Sequence, residues 1–262
     1  MRASVLIGAY DSAATLPAAI DAVLAQTVSD LELIVVDDGS RDESAAIAEA
    51  VDDPRVRVLR MGRNVGIARS LNAGIEVARA PIVAVQDADD LSDPERLERQ
   101  LAVLEASLDT AVVGCRMREV DAEGRQLAPR TSFAAGDVRA ALMRFNPIPN
   151  TSAAFRRDAV LGVGGYDPRY RYAMEYDLWL RLAERWRVVT LDEVLATRVM
   201  GGANVAARAE RAQTREAVLI RARALARRRT LRGASGLALP LLSLATPTAL
   251  KRARRRRLGQ AP

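Results

Sequence analysis

Runs of branched apolar residues alternate with amphipathic segments along the first 115 positions, and the length and period of each run assign it to an element. Residues 3–8 (Ala-Ser-Val-Leu-Ile-Gly) read as a buried strand. Residues 14–26 set Leu16, Ile20, Val23 and Leu24 at helical spacing, with Pro17 in the first turn, where its missing N–H costs nothing. The alternation then repeats as strand 31–36, helix 42–51, strand 56–59, helix 67–79, strand 81–85, helix 94–107 and strand 110–114. Strands that are apolar throughout need cover on both faces. The pattern therefore predicts an α/β domain with a mostly parallel, Rossmann-like sheet between two helical layers. Ligands of such sheets bind where the strands end.

Beyond residue 115 the alternation loosens. The pattern predicts a hairpin over 116–128 around Glu123-Gly124, a short helix over 137–145, a strand over 152–155 and a helix over 175–185. On that last helix Glu175, Leu178, Trp179 and Leu182 share the inward stripe. Residues 205–229 form a long Arg/Ala-rich helix with few large apolar side chains.

Charge divides the chain at the same place. The net charge of +6 conceals a body of residues 1–205 at −7 and a tail, 206–262, in which 15 basic residues face only Glu210 and Glu216. Within the tail, apolar residues 237–250 are too short to span a bilayer and carry Pro240 and Pro247, yet lie between two arginine clusters. That arrangement suits an anionic membrane surface, with a solvated tail as the competing reading. Nucleic acid fits poorly, because the aromatic residues that stack on bases are missing. Histidine is absent and Cys115 is the single cysteine. Histidine-based zinc sites, Ser-His-Asp triads and intrachain disulfides are thereby excluded, and acid–base work falls to carboxylates. The N-terminus runs straight into the first strand without a signal-peptide pattern, which points to the cytoplasm.

Chemistry concentrates at the predicted strand ends. Residues 82–90, Ile-Val-Ala-Val-Gln-Asp-Ala-Asp-Asp, open an apolar run onto Asp87, Asp89 and Asp90. Carboxylates so crowded repel one another unless a cation intervenes. Asp90 or Ser92 is accounted for as the cap of a helix beginning at Pro94. Asp87 and Asp89 are not, and they suit Mg²⁺ or Mn²⁺ sharing its remaining positions with a diphosphate. Asp37-Asp38-Gly39-Ser40 reads either as a turn with a helix cap or as a carboxylate accepting from a base edge. Asn64-Val65-Gly66, entering a helix, reads either as a plain cap or as a phosphate neighbour.

Taken in order, Val5-Leu6-Ile7-Gly8-Ala9-Tyr10-Asp11, Gln26-Thr27, Val35 to Ser40, Asn64-Val65-Gly66, Asn72-Ala73-Gly74-Ile75 and Gln86 to Asp90 resemble the family 2 glycosyltransferases. So do Asn146-Pro147-Ile148, Phe155-Arg156-Arg157, Gly164-Gly165-Tyr166-Asp167 and Glu175 to Arg181. The resemblance implies a GT-A fold over 1–204, divided into a nucleotide-sugar half (1–115) and an acceptor half (116–204), and leaves 205–262 outside it as a basic helical tail. It implies inverting transfer from a nucleoside diphosphate sugar (UDP-, GDP- or dTDP-) to a glycan or lipid-linked acceptor, in cell-surface polysaccharide or glycolipid synthesis; the basic tail, outside the resemblance, would set it at the inner face of the membrane. Asp38 would meet the base beside Ala9, Tyr10 and Asp11. Asp87-Ala88-Asp89 stand at the DXD motif, with Asp87 near the ribose or sugar and Asp89 on the metal. Glu175 would be the general base. Departures are Asp11 where the family usually has Asn, Met174-Glu175 for a frequent Glu-Asp pair, and Asn150 where relatives often have His. Two alternatives remain at this point: a catalytically silent nucleotide-sugar-binding protein tethered to the membrane, and a nucleotidyltransferase, which lacks its usual Gly-rich loop here.

Overall fold

The computed structural model describes residues 1–128, 133–200 and 205–228, with side chains in the last segment described for 211–227. Its first half follows the alternation. β1 (Ala3–Ala9), β2 (Leu31–Asp37), β3 (Val56–Arg60) and β4 (Ile82–Asp87) run parallel in the order β3-β2-β1-β4. β1 is almost wholly buried and β2 wholly so, which is why both read as uninterrupted apolar runs.

Helices cover both faces. On one side α1 (Leu16–Leu24) and α4 (Arg96–Ala106) set Leu16, Ile20, Val23, Leu97, Leu101 and Leu104 against Val5, Ile7, Leu33 and Val35. On the other, α3 (Ile67–Val77) packs Leu71 and Ile75 on Leu6, Ile34, Val36 and Val85. Gly74 lets α3 lie this close, since a Cβ there would stand 3.0 Å from Val36 Cγ2 and 3.2 Å from Leu6 Cδ1. α2 (Ser44–Glu49) completes the parallel half.

The second half departs in part from the sequence expectations. The hairpin expected over 116–128 is present in short form: β6 (Thr110–Val120) supplies its first arm, a tight turn at Asp121–Arg125 reverses the chain, and Gln126 bridges antiparallel to Val120 while the Leu127 N–H donates to the Glu119 carbonyl at 2.8 Å. The expected helix over 137–145 is instead a short β7 (Gly136–Asp137) and a single 3-10 turn, Ala141–Met143. A second 3-10 turn, Asn150–Ser152, leads into β8 (Ala154–Arg156), then α5 (Arg157–Gly162) and α6 (Met174–Leu182). β9 (Arg187–Val199), 13 residues long, was not foreseen, because its Asp192-Glu193 interruption breaks the apolar run. It runs parallel to β6 and closes the order β4-β8-β6-β9-β5, with β8 antiparallel to both its neighbours. α7 (Val205–Arg228) lies against α6. The basic, apolar stretch expected to meet a membrane, residues 229–262, lies outside the described residues. Among the described residues no helix is long and apolar enough to cross a membrane.

Candidate active site

Register alone lines up the first wall of the site. Ala9 pairs with Asp37 across β1 and β2, and Gly8 pairs with Asp87 across β1 and β4, so three strands end side by side at one crevice. The loops beyond them are fastened to each other. Asp11, at φ +47°, accepts the Arg41 N–H at 2.7 Å and donates its own to Ser40 Oγ at 3.1 Å. Arg41 Nη2 also donates to the Tyr10 hydroxyl at 2.8 Å. Ala9 is buried and Tyr10 half-buried.

Asp38 is only 3% exposed, and its carboxylate accepts the N–H groups of Val65 (2.7 Å) and Gly66 (2.9 Å). It thus holds the Asn64–Gly66 loop at the start of α3, and one lone pair on each oxygen is committed there. Gly66, at φ +91°, is the N-cap of α3 and spends its N–H on Asp38.

The second wall is acidic. Asp89 is exposed at the tip of the turn between β4 and β5 (Asp90–Ser92), with Ala88 buried beside it. Asp87 is half-buried; its N–H donates to Thr151 Oγ1 at 2.9 Å and its Oδ1 lies 3.5 Å from Asn150 Nδ2. Asn150 in turn accepts from the buried Tyr166 hydroxyl at 2.7 Å. Tyr166 is clamped through its backbone by both ends of the Asn72 amide, each at 2.8 Å. Below this chain the buried Arg96 guanidinium donates to the carbonyls of Val85 and Thr151.

Asp90 is not the helix start expected of it. It lies in β5, paired with β9, and α4 begins only at Arg96. Its carboxylate is 2% exposed and 3.7 Å from Arg198 Nε. Burial first, and then the neighbouring Asp87, pushes the Asp90 carboxyl well above the usual range despite Arg198. Asp87 is raised likewise, by burial and then by Asp89. Asp87, Asp89 and Asp90 crowd together, and the Arg198 and Arg96 guanidinium groups beside them do not cancel the rise in the Asp87 and Asp90 carboxyls, which is the electrostatic condition a divalent cation satisfies. Among the described residues no group of three or more acidic or thiol side chains forms a closed metal cage. A cation that keeps positions for substrate oxygens needs only one or two protein carboxylates, so Asp87 and Asp89 fit that role.

Glu175 enters from α6. Leu178, Trp179 and Leu182 are fully buried on the same stripe, Trp179 Nε1 donates to the Ile148 carbonyl at 3.0 Å, and Asp177 pairs with Arg181 at 2.7 Å. Trp179 is therefore core, not a sugar platform. This packing leaves Glu175 half-buried in the first turn, its Oε1 accepting from Asn146 Nδ2 at 2.9 Å. Burial, followed by the charge of Asp87, pushes its carboxyl up to about 7 against the pull of its own N–H and Arg198. A carboxylate titrating there is a competent base near neutral pH.

Sequence reasoning missed Arg198, Thr151 and Arg96. Arg198 was hidden with β9, although Leu195-Ala196-Thr197-Arg198-Val199 has the composition of a strand.

Comparison with known proteins places this geometry among relatives. Residues 4–162 match the family model described as Glycosyl transferase family 2. The chain is 29% identical over 197 residues to the amylovoran biosynthesis glycosyltransferase AmsE of Erwinia amylovora, covering 73% of this chain and 74% of AmsE. It is 33% identical over 203 residues to EpsE of Bacillus subtilis (strain 168), covering 74% and 71%. Two solved structures share the fold. The mannosyltransferase PcManGT of Pyrobaculum calidifontis, in complex with GDP-Man and Mn²⁺, superposes with a TM-score of 0.65 at 20% identity, covering 98% of this chain and 80% of that one. S. aureus TarS 1-349 in complex with UDP-GlcNAc superposes at 0.67 and 18% identity, covering 84% of this chain. The chain spans about two thirds (66%) of that TarS structure.

Proposed function

Because this chain belongs to glycosyl transferase family 2 and has the GT-A fold, we propose that it moves a sugar, with inversion, from a nucleoside diphosphate sugar to a hydroxyl of a glycan or lipid-linked acceptor in polysaccharide synthesis. The observation that carries this reading is that Asp87 and Glu175, from opposite halves of the chain, meet one short segment: Thr151 Oγ1 accepts the Asp87 N–H at 2.9 Å and Asn146 Nδ2 donates to Glu175 Oε1 at 2.9 Å. The printed names of the relatives support the rest, with UDP-GlcNAc and GDP-Man bound in the two structures and amylovoran biosynthesis in the name of AmsE.

In this reading the base settles in the crevice where β1 and β2 end, between the Tyr10–Asp11 loop and the Asp38-held loop at Gly66. Asp87 lies toward the ribose or sugar. A Mg²⁺ or Mn²⁺ ion held by Asp89, with Asp87 beside it, would supply Lewis-acid stabilisation of the diphosphate leaving group. Glu175 takes the proton of the acceptor hydroxyl as that oxygen attacks the anomeric carbon from the face opposite the diphosphate, and one displacement of this kind inverts the centre. Asn146 fixes the Glu175 rotamer by donating to Oε1. At the Met174 departure, Met174 is buried and the neighbouring Glu175 is the half-buried acid that accepts from Asn146.

The experiment is a panel of nucleoside diphosphate sugars with Mn²⁺, scored for thermal shift and for release of nucleoside diphosphate. We expect one donor to stabilise the protein and to be turned over, with Asp89→Ala losing the metal-dependent part of both. Binding without turnover, even with acceptors supplied, would favour a silent binding protein. Full donor binding and turnover by Asp89→Ala would remove Asp89 from the metal.

A further inference from the structure

Within α7, an otherwise basic helix, Glu216 has an unusual task. Its carboxylate accepts three consecutive backbone N–H groups: Arg171 at 2.9 Å on Oε1, and Tyr172 at 2.8 Å and Ala173 at 2.9 Å on Oε2. Successive N–H groups aimed at one point form an anion seat, and a carboxylate filling one makes charge-assisted bonds. Ala173 is the N-cap of α6 and supplies no side-chain cap of its own. Glu175 is two residues further on. The segment that enters the helix carrying Glu175, its N-cap N–H included, is therefore held by a carboxylate from α7.

α7 is held firmly enough for this. Ile220 and Ala224 are fully buried in the core that also contains Tyr176 and Trp179. Arg221 Nη1 donates to the Arg144 carbonyl at 2.5 Å, and Arg227 pairs with Glu184 at 2.7 Å. Gln213 Nε2 donates to the Tyr172 carbonyl at 3.3 Å, next to the Glu216 contacts. Farther along α6, Trp179 and Arg181 lock the helix body. The first turn, where Glu175 sits, is packed through the buried Met174 and Tyr176, and Glu216 adds the hold on the segment that enters it.

We propose that Glu216 is a positioning residue for sugar transfer: by holding the three N–H groups at the entry of α6 it fixes the segment that leads into the turn presenting Glu175, which makes α7 part of the catalytic unit. This rests on Glu175 being the base. Misplacement of a reacting group by about 1 Å costs on the order of a hundredfold in rate.

The test compares Glu216→Gln and Glu216→Asp in the full chain, with the panel donor that the wild type turns over. Glutamine keeps the size of the side chain but turns an NH₂ donor toward N–H donors, so kcat should fall about ten- to a hundredfold with little change in donor KM. Aspartate keeps the charge and should restore much of kcat. Amide exchange at Arg171, Tyr172 and Ala173 should speed up in Glu216→Gln. The charges facing Glu175 are Asp87, Arg198 and Glu216, so removing the last also moves the acid limb of kcat/KM to lower pH, a shift that simple loss of folded protein does not produce. A wild-type kcat in Glu216→Gln would overturn the proposal, as would a loss that Glu216→Asp does not restore and that leaves the acid limb in place. If Glu175→Gln itself transfers sugar at the wild-type rate, the base assignment falls and takes this inference with it. Inactive Glu175→Gln beside fully active Glu216→Gln removes Glu216 alone.

Discussion

Replacing Glu175 by Gln separates the cost of holding a base from its use. The carboxyl titrates at an ordinary 4.5 in the unfolded chain and at about 7 in the folded one. Between those values the native state keeps a proton that the unfolded state has released, so folding stability declines as pH rises through the window. At about 1.36 kcal/mol per pH unit the full decline is about 3 kcal/mol, a ceiling because Glu175 is half-buried and partly screened by solvent. Glutamine stays neutral at every pH and keeps an oxygen to accept from Asn146 Nδ2. Glu175→Gln should match the wild type in stability near pH 4.5 and exceed it by up to about 3 kcal/mol at pH 8, or roughly 6–12 °C in Tm for a chain of this size. The assay is urea or thermal unfolding of both proteins in a chelator across that range, followed by sugar transfer with metal restored. Transfer should fall by about 10²- to 10⁴-fold, the usual worth of a general base. A variant no more stable at pH 8 than the wild type would refute the raised carboxyl, and a stable variant that still transferred sugar at full rate would refute its use.

Other consequences are smaller in scope. Glu32, 2% exposed in β2, accepts from Ser4 Oγ, Arg57 Nη1 and the Arg79 N–H, each at 2.7 Å. Burial alone would raise its carboxyl, but the Arg79 N–H, Ser4 and Arg57 outweigh that and hold it below the usual value. Its contribution is therefore present above pH 4.5 and lost as pH falls through the lowered value. Glu32→Gln should cost about 1–3 kcal/mol at pH 7 and flatten the acid limb of unfolding; an unchanged urea midpoint would contradict this. Tyr166→Phe leaves Asn150 Oδ1 without its buried donor and should cost about 1–3 kcal/mol in urea unfolding, whereas a neutral result would mean the amide finds another partner. The full chain should co-sediment with vesicles containing phosphatidylglycerol, and much less with phosphatidylcholine alone, an interaction weakened by salt; equal binding to both would remove the electrostatic part of that reading.

The legible part of the chain is the part whose local pattern and tertiary role coincide. β1, β2 and β4 are buried on both faces, so apolar runs announce them, and the parallel register then places Ala9, Asp37 and Asp87 together without further information. The place of Glu175 in the first turn of α6 was legible because Leu178, Trp179 and Leu182 fix the phase of that helix, while its role as base rests on the family resemblance. Illegible were elements whose residues answer to distant partners. β9 is half-exposed and carries charges, and its Arg198 earns its place only beside Asp90, on a strand of three residues. Asp90 looked like a cap because Pro94 and Glu95 follow it; what competes is the ladder to β9, which pulls residues 90–92 into the sheet first. Glu216 sat in an arginine-rich helix of low apolar content, and nothing local says that its carboxylate reaches a loop more than forty residues earlier.

The insertion of β8 between β4 and β6 explains how two halves of one site keep a fixed distance. Ala84 pairs with Ala154 on one edge and Val113 pairs with Ala154 on the other, so the turn that precedes β8 is pressed against the end of β4. That turn holds Asn150 and Thr151, both in contact with Asp87. Asn150 reaches Tyr166, and Tyr166 is bound to Asn72 on α3, so the acidic wall, the loop before α6 and the parallel half are tied by polar side chains. Asn146 and Ile148, just upstream on the same segment, hold Glu175 and Trp179. Residues 146–151 therefore touch Asp87 at one end and Glu175, the proposed base, at the other. A shift of that segment moves both together, so their separation survives small distortions that would ruin a site assembled from two independent loops.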